Sequence, residues 1–95
     1  MTDNEKAEII ADKLMGYKFP KGHLDYELFN PFGRDDHCME AWDKFVMEHG
    51  THGGTLDACL RKGKKLWIAT TRMGPASVHP NRRTAMCDLM ARTVT

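Results

Sequence analysis

The strongest structural pattern in the sequence is the helical spacing of apolar residues in the segment before Gly50. The side chains that share one side of this segment are Met39, Trp42, Phe45, Val46 and His49, with Cys38 and Ala41 flanking them. Such spacing is typical of an α-helix that buries one side. The sequence therefore predicts a helix that begins at Asp35 or Asp36, where a carboxylate can cap the N-terminus, and that ends before Gly50.

A β-hairpin is predicted over residues 55–72, which read TLDACLRKGKKLWIATTR. Apolar and small residues alternate in both arms: Leu56, Ala58 and Leu60 in the first, Leu66, Ile68 and Thr70 in the second. The intervening RKGKK contains the glycine that a tight connection favours. Trp67 and Ala69 fall on the opposite face of the second arm, so we expect both faces of this sheet to be covered.

Two more helices are predicted, one near each end of the sequence. The first covers residues 3–15, with Asp3 as its cap and Gly16 as its stop, and its apolar stripe comprises Ala7, Ile10, Ala11 and Leu14. The last begins near Asn81 and runs to about Val94, and its expected buried stripe comprises Ala85, Met86, Leu89, Met90 and Val94.

Between the first two helices, residues 24–29 alternate Leu24, Tyr26 and Leu28 against charged residues, which predicts a half-buried strand. The segment MGPASVHP before the last helix is predicted to be a loop. The resulting order is helix, strand, helix, hairpin, helix. We therefore expect a single layered α+β domain that spans residues 1–95.

Four short motifs resemble those of the phage ABA sandwich domain family: a first helix that ends in Met-Gly-aromatic, an aromatic-Asn-Pro turn, a helix with Ala-Trp, and an alanine-rich closing helix. The matching residues are Met15, Gly16 and Tyr17; Phe29, Asn30 and Pro31; Ala41 and Trp42; and RRTAMCDLMART. The resemblance covers nearly the whole chain. It implies a phage or prophage origin and an α/β/α sandwich of three layers, and it implies no established activity or catalytic residue.

Composition narrows the function classes. The 14 basic and 13 acidic residues give a formal net charge of +1, which does not suit a dedicated nucleic-acid binder. No apolar run reaches the roughly 18 residues of a membrane span, and the polar start MTDNEKAEII is not typical of a signal peptide. We expect a cytoplasmic protein, which the resemblance would place in an infected bacterial host. Cys38, Cys59 and Cys87 are predicted to be buried or half-buried free thiols.

The sequence predicts no catalytic residue, no metal site and no cofactor. His49 and His52 are close in the sequence, with His37 and Cys38 upstream, but a zinc site needs four ligands in tetrahedral reach. The His-Gly-Thr fragment at His49 is similar to a motif of two-histidine phosphodiesterases, whose chemistry needs a second copy that the sequence lacks. Neither a nucleophile elbow nor a phosphate-binding glycine loop occurs.

The candidate binding site is the start of the last helix, SVHPNRRTAM. Arg82 and Arg83 lie in its first turn, where the helix dipole makes cations mildly unfavourable, while the unpaired N–H groups attract anions. Asn81 can cap this end, or Pro80 can begin it. We expect His79 and Arg72 to lie close by. Trp67, or an aromatic residue of GYKF or FNPFGR, would offer a stacking face, and together these groups would suit a phosphate-bearing, nucleotide-like ligand.

The alternative for this stretch is two solvated arginines without a partner. Three functions stay open. The first is a non-enzymatic binder, an anti-defence sponge that sequesters a nucleotide-derived signal, with a site built between copies in a homo-oligomer. The second is a protein-interaction module that inhibits or adapts a host protein, for which seven methionines supply adaptable contacts. The third is an enzyme without a recognisable motif.

Overall fold

The structure is a computed structural model that describes residues 2–49, 54–61, 63–71 and 76–94. Within these ranges, three α-helices and three strands follow one another: α1 (Asp3–Ile9), which continues into a π-helical turn (Ile10–Leu14), α2 (Asp35–His49), β1 (Gly54–Arg61), β2 (Lys64–Thr71), β3 (Ala76–His79) and α3 (Arg82–Val94). The predicted α+β class is confirmed. None of the described helices has the length and apolar character that a membrane crossing requires.

The three predicted helices and the hairpin are confirmed. The side chain of Thr2, rather than Asp3, caps α1 by accepting a hydrogen bond from the Glu5 N–H at 3.2 Å. Gly16 ends this helix with a φ of 74°, a conformation that glycine adopts without strain. In the hairpin, β1 and β2 pair antiparallel, with Cys59 opposite Leu66.

The prediction of a loop before the last helix is wrong for Ala76–His79, which form β3. This strand pairs antiparallel with β2, so that Val78 lies opposite Ile68, and the sheet order is β1-β2-β3. A hairpin leaves the outer N–H and C=O groups of its second arm unpaired, and β3 supplies their partners. The strand has four residues, too few for a recognisable alternation.

The prediction of a strand over residues 24–29 is also wrong, because this segment forms a turn. The Asp25 carboxylate accepts the Glu27 N–H at 2.9 Å, and the Asp25 carbonyl accepts the N–H groups of Leu28 and Phe29. Such local bonds compete with strand pairing. Leu28 is 65% exposed, so the alternation of apolar residues does not correspond to a buried face.

Helix α3 is the centre of the fold. Seven consecutive residues are buried: Ala85, Met86, Cys87, Asp88, Leu89, Met90 and Ala91. A helix on a protein surface buries only one side, so a buried run of this length shows that α3 is covered on several sides. It contacts α1, α2, β2 and β3.

The other helices bury narrower stripes against α3. The predicted stripe of α1 and its π-helical turn is buried as expected. On α2 the buried side consists of Cys38, Ala41, Trp42 and Phe45, whereas Met39 is 39% exposed, so the predicted stripe is rotated. Cys38 and Cys87 are buried free thiols, as predicted. The side chains of His49, Leu56, Cys59 and Leu60 lie outside the described part.

The two faces of the sheet have different surroundings. Ala69 and Ser77, which are paired across β2 and β3, are buried on the face that α3 covers. Val78 lies on the opposite face and is 47% exposed. We expected both faces of the sheet to be covered by other elements. Helix α3 covers one face, whereas the other face is exposed to solvent at Val78.

A buried carboxylate ties three elements to one another. The carboxylate of Asp88 in α3 accepts a hydrogen bond from the Ser77 hydroxyl of β3 at 2.7 Å and pairs with the Lys6 ammonium of α1 at 2.7 Å. Arg92, one turn further along α3, also donates to it. Burial acts to raise the pKa of Asp88, but the bonds from Lys6, Ser77 and Arg92 outweigh it and lower the pKa to about 2.

We expect this group to make folding sensitive to acid. Because the pKa of Asp88 is lowered from 3.8 to about 2, its stabilisation is present above about pH 4 and is lost as the pH falls toward 2. The shift corresponds to at most about 2 kcal/mol. Urea unfolding of the wild type, Asp88→Asn and the exposed control Asp43→Asn at several pH values measures it. Asp88→Asn should lose stability at neutral pH and lack this acid dependence; equal behaviour of the two variants would contradict the assignment.

Candidate functional site

The end of the sheet and the start of α3 bring together three of the predicted site residues. Trp67 of β2 and His79 of β3 lie directly opposite each other in the antiparallel register. Only Pro80 and Asn81 separate β3 from α3, so the first turn of α3 lies beside this pair. Ala58 of β1, opposite Trp67 on its other side, is exposed. The sheet therefore offers solvent access at this point.

Two cationic side chains lie close to the indole ring of Trp67. The Lys65 ammonium lies 4.6 Å from the ring centroid, and the Arg82 guanidinium carbon lies 5.8 Å from it. Both distances are within the range of a cation–π contact. The indole is half-buried, so it orients both side chains while they keep contact with water. We call Lys65, Trp67, His79 and Arg82 together the Trp67 surface.

The guanidinium of Arg83 forms hydrogen bonds to other parts of the fold. Its Nε donates to the Phe32 carbonyl at 2.9 Å, and its Nη1 lies 2.7 Å from Asp35 Oδ1. Arg82 also reaches this oxygen, at 3.2 Å. Asp35 begins α2, so one carboxylate lies at the positive end of α2 and also faces both arginines at the positive end of α3. This explains how α3 tolerates two cations in its first turn.

The same contacts determine the charge of Asp35. The hydrogen bonds from Arg83 and then from Arg82 lower the pKa of this exposed carboxyl below its ordinary value. Asp35 is therefore ionised at neutral pH. One negative charge faces two guanidinium groups, which leaves the start of α3 with a positive excess.

Asn81 and His79 shape the backbone at the start of α3. Asn81 Oδ1 accepts the Thr84 N–H at 3.0 Å, which confirms the predicted cap. His79 Nδ1 accepts the Asn81 N–H at 3.0 Å. In the neutral ring the proton is then on Nε2, which is free to donate outward because the His79 side chain is exposed.

The predicted site residues thus fall into three groups. Trp67, His79 and Arg82 lie together, Asn81 and Arg83 make contacts within the fold, and Arg72 lies outside the described residues. Sequence reasoning missed Lys65, which it placed in the RKGKK connection of the hairpin. The sequence does contain a signal for Lys65. Residues two apart on a strand share a face, and Lys65 is two residues before Trp67.

The side chains of His37, Cys38 and Cys87 make contacts that stabilise the fold. His37 Nδ1 accepts the Asn30 N–H at 2.8 Å, and its ring stacks on Phe29 with centroids 6.0 Å apart. The hydrogen bond between Cys38 and Cys87 and the burial of the pair raise the pKa of the Cys87 thiol. Within the described ranges, no three histidine, cysteine or carboxylate side chains are grouped as a metal ion would require.

In comparisons with models of known families, with curated proteins and with solved structures, nothing matches this chain. The function proposed below therefore depends on the geometry of the described side chains, and the resemblance to the phage ABA sandwich family stays a prediction.

The two arginines should differ when each is replaced. Arg83→Ala removes two hydrogen bonds that join α3 to α2 and to the segment before it, so we expect it to lower the free energy of unfolding by about 1–2 kcal/mol. Arg82→Ala should lower it by less than about 1 kcal/mol, because its pair with Asp35 is more exposed. Urea denaturation of both variants gives the comparison, in which losses of equal size would contradict a structural role specific to Arg83.

Proposed function

We propose that the protein is a non-enzymatic binding protein that takes up a small phosphate-bearing, nucleotide-like ligand at the Trp67 surface. The observation that carries the proposal is that two cationic side chains, Lys65 and Arg82, both lie within cation–π distance of the half-buried Trp67 ring. Held together, these like charges repel each other, and a bound anion would relieve that repulsion.

The local charge supports an anionic ligand. Lys65, Arg82 and Arg83 contribute three positive charges, and Asp35 contributes one negative charge, which leaves an excess of two. Among the residues that the structure describes, no carboxylate pairs with Lys65. Its ammonium and the outer edge of the Arg82 guanidinium can both turn toward a phosphate group.

The neighbouring groups favour a phosphate attached to a flat organic part. His79 Nε2 can donate a hydrogen bond beside the two cations, since His79 Nδ1 already accepts the Asn81 N–H. The Trp67 ring supplies an apolar surface for a base, although Lys65 and Arg82 cover part of it. We infer that the phosphate contacts provide most of the binding energy and that the ring contributes orientation.

In an infected bacterial host, such a protein would act as a sponge that sequesters a nucleotide-derived signal. This biological role depends on the resemblance to the phage family. The expected site between copies in a homo-oligomer belongs to the same proposal. The alternative is a protein-interaction module. Exposed apolar side chains favour that alternative. Met47 of α2 is 86% exposed, and Val78, on the face of the sheet opposite α3, is 47% exposed.

Binding is tested by a thermal-shift screen and calorimetry of the purified protein. The panel contains inorganic phosphate, pyrophosphate, mononucleotides, cyclic di- and trinucleotides and ADP-ribose. A ligand at about 100 times its Kd should stabilise the fold by about 2.7 kcal/mol. Ligand released by heat and identified by mass spectrometry should be intact, whereas a converted ligand would indicate an enzyme. A flat panel would contradict the proposal and favour a search for a protein partner.

Matched lysine variants locate the site. Lys65→Ala and Arg82→Ala should each weaken binding about tenfold, which is about 1.4 kcal/mol. Lys64→Ala removes the same charge from the preceding residue, whose side chain belongs to the opposite face of β2, and should leave binding unchanged. Equal losses in Lys64→Ala and Lys65→Ala would show that the ligand responds only to the general charge of the hairpin.

A further inference from the structure

A surface cavity of about 460 Å³ lies between α1 with its π-helical turn and the chain that follows it as far as Leu24. None of its lining residues belongs to the Trp67 surface. Its volume falls within the range of small-molecule sites. The function proposed above makes no use of it, so its chemistry can be considered by itself.

The apolar part of the cavity is aromatic. Tyr17 and Phe19 line it and pack edge to face, with ring centroids 6.5 Å apart and an interplanar angle of 87°. Both side chains are half-buried, which leaves part of each ring accessible. Ile9 and Leu24 add aliphatic lining. The electron-rich faces of such rings attract organic cations.

Charged side chains also line the cavity. Glu5, Glu8 and Asp12 line it from α1 and its π-helical turn, together with the ammonium groups of Lys13 and Lys21. Asp12 is paired with Lys18 at 3.3 Å. Glu8 has no cationic side chain at ion-pair distance among the described residues, which leaves its charge available.

Glu8 is also held in place. Its Oε1 accepts the Gly22 N–H at 2.6 Å, so the carboxylate is fixed to the segment that follows the π-helical turn while Oε2 keeps its hydrogen-bonding capacity. The charge of Glu8 acts on its surroundings: burial and then this charge raise the pKa of Tyr26. A preorganised carboxylate that lines the same cavity as two aromatic rings is an arrangement that selects a cation with an apolar body.

We propose that this cavity binds an organic ammonium ligand, whose alkyl part lies on Tyr17 and Phe19 and whose ammonium group pairs with Glu8. The ligand class follows from the charge of Glu8 and the rings beside it. A neutral ligand of the same shape would leave the negative charge of Glu8 without a counter-charge, and Glu8 would repel an anion placed beside it.

The test is an NMR titration of the ¹⁵N-labelled protein with n-butylammonium, with 1-butanol and butyrate as probes of similar shape. We expect n-butylammonium to shift the amide signals of Phe19 and Gly22 saturably, with an affinity at least tenfold above that of 1-butanol, and butyrate to leave them unshifted. The absence of a saturable shift would overturn the proposal. Equal binding of 1-butanol would also overturn it, because the cavity would then be selective only for apolar groups.

Two variants separate the charge of Glu8 from its structural bond. Glu8→Gln keeps an oxygen that can accept the Gly22 N–H but removes the charge, so it should fold and bind n-butylammonium at least tenfold more weakly. Glu40→Gln, at an exposed position on α2, changes the net charge equally and should bind like the wild type. Equal affinities of the two variants would overturn the assignment to Glu8.

Discussion

Burial of α3 on several sides is the constraint on which the rest of the structure depends. The buried run includes a carboxylate, Asp88, and a buried charge without partners costs several kcal/mol. Lys6 of α1 and Ser77 of β3 supply two of the partners, and Arg92 of α3 supplies the third. Two of the elements that enclose α3 thus also supply partners for the buried charge of Asp88. The positions of α1 and β3 are therefore coupled through this carboxylate.

The same packing places the N-terminus of α3 next to that of α2. Two positive helix ends and two arginines meet there, and Asp35 is the carboxylate that both arginines contact. Arg83 is occupied by this junction and by the Phe32 carbonyl. Arg82 is shared between the junction and the Trp67 ring, and Lys65 contacts the ring and, among the described residues, pairs with no carboxylate. The positive charge that this junction does not neutralise therefore lies at the Trp67 surface.

Local patterns of the sequence predicted much of the fold. The helices follow from apolar spacing and from stop or cap residues such as Gly16 and Asn81, which act within a few residues of themselves. The burial of Asp88 was not predictable in this way, because a carboxylate outside the apolar stripe is normally solvated, and its partner Lys6 belongs to another helix.

The remaining misses have the same origin. Alternation over residues 24–29 resembles a strand, but the local bonds of Asp25 form a turn instead. The strand β3 exists because β2 offers it an edge, which only the assembled sheet shows. At the candidate site the sequence indicated Trp67, His79 and Arg82, whereas the role of Asp35 depends on a contact 47 residues away along the chain.

The most direct test of the account is the response of the two tryptophan indole N–H signals to pyrophosphate in a ¹H–¹⁵N NMR titration. Trp67 lies beside Lys65 and Arg82, whereas Trp42 is only 8% exposed and packs on Phe45 within α2, so it serves as an internal reference. The account predicts a saturable shift of the Trp67 signal with the Trp42 signal unchanged. An unchanged Trp67 signal, or equal shifts of both, would contradict an anion site at the Trp67 surface.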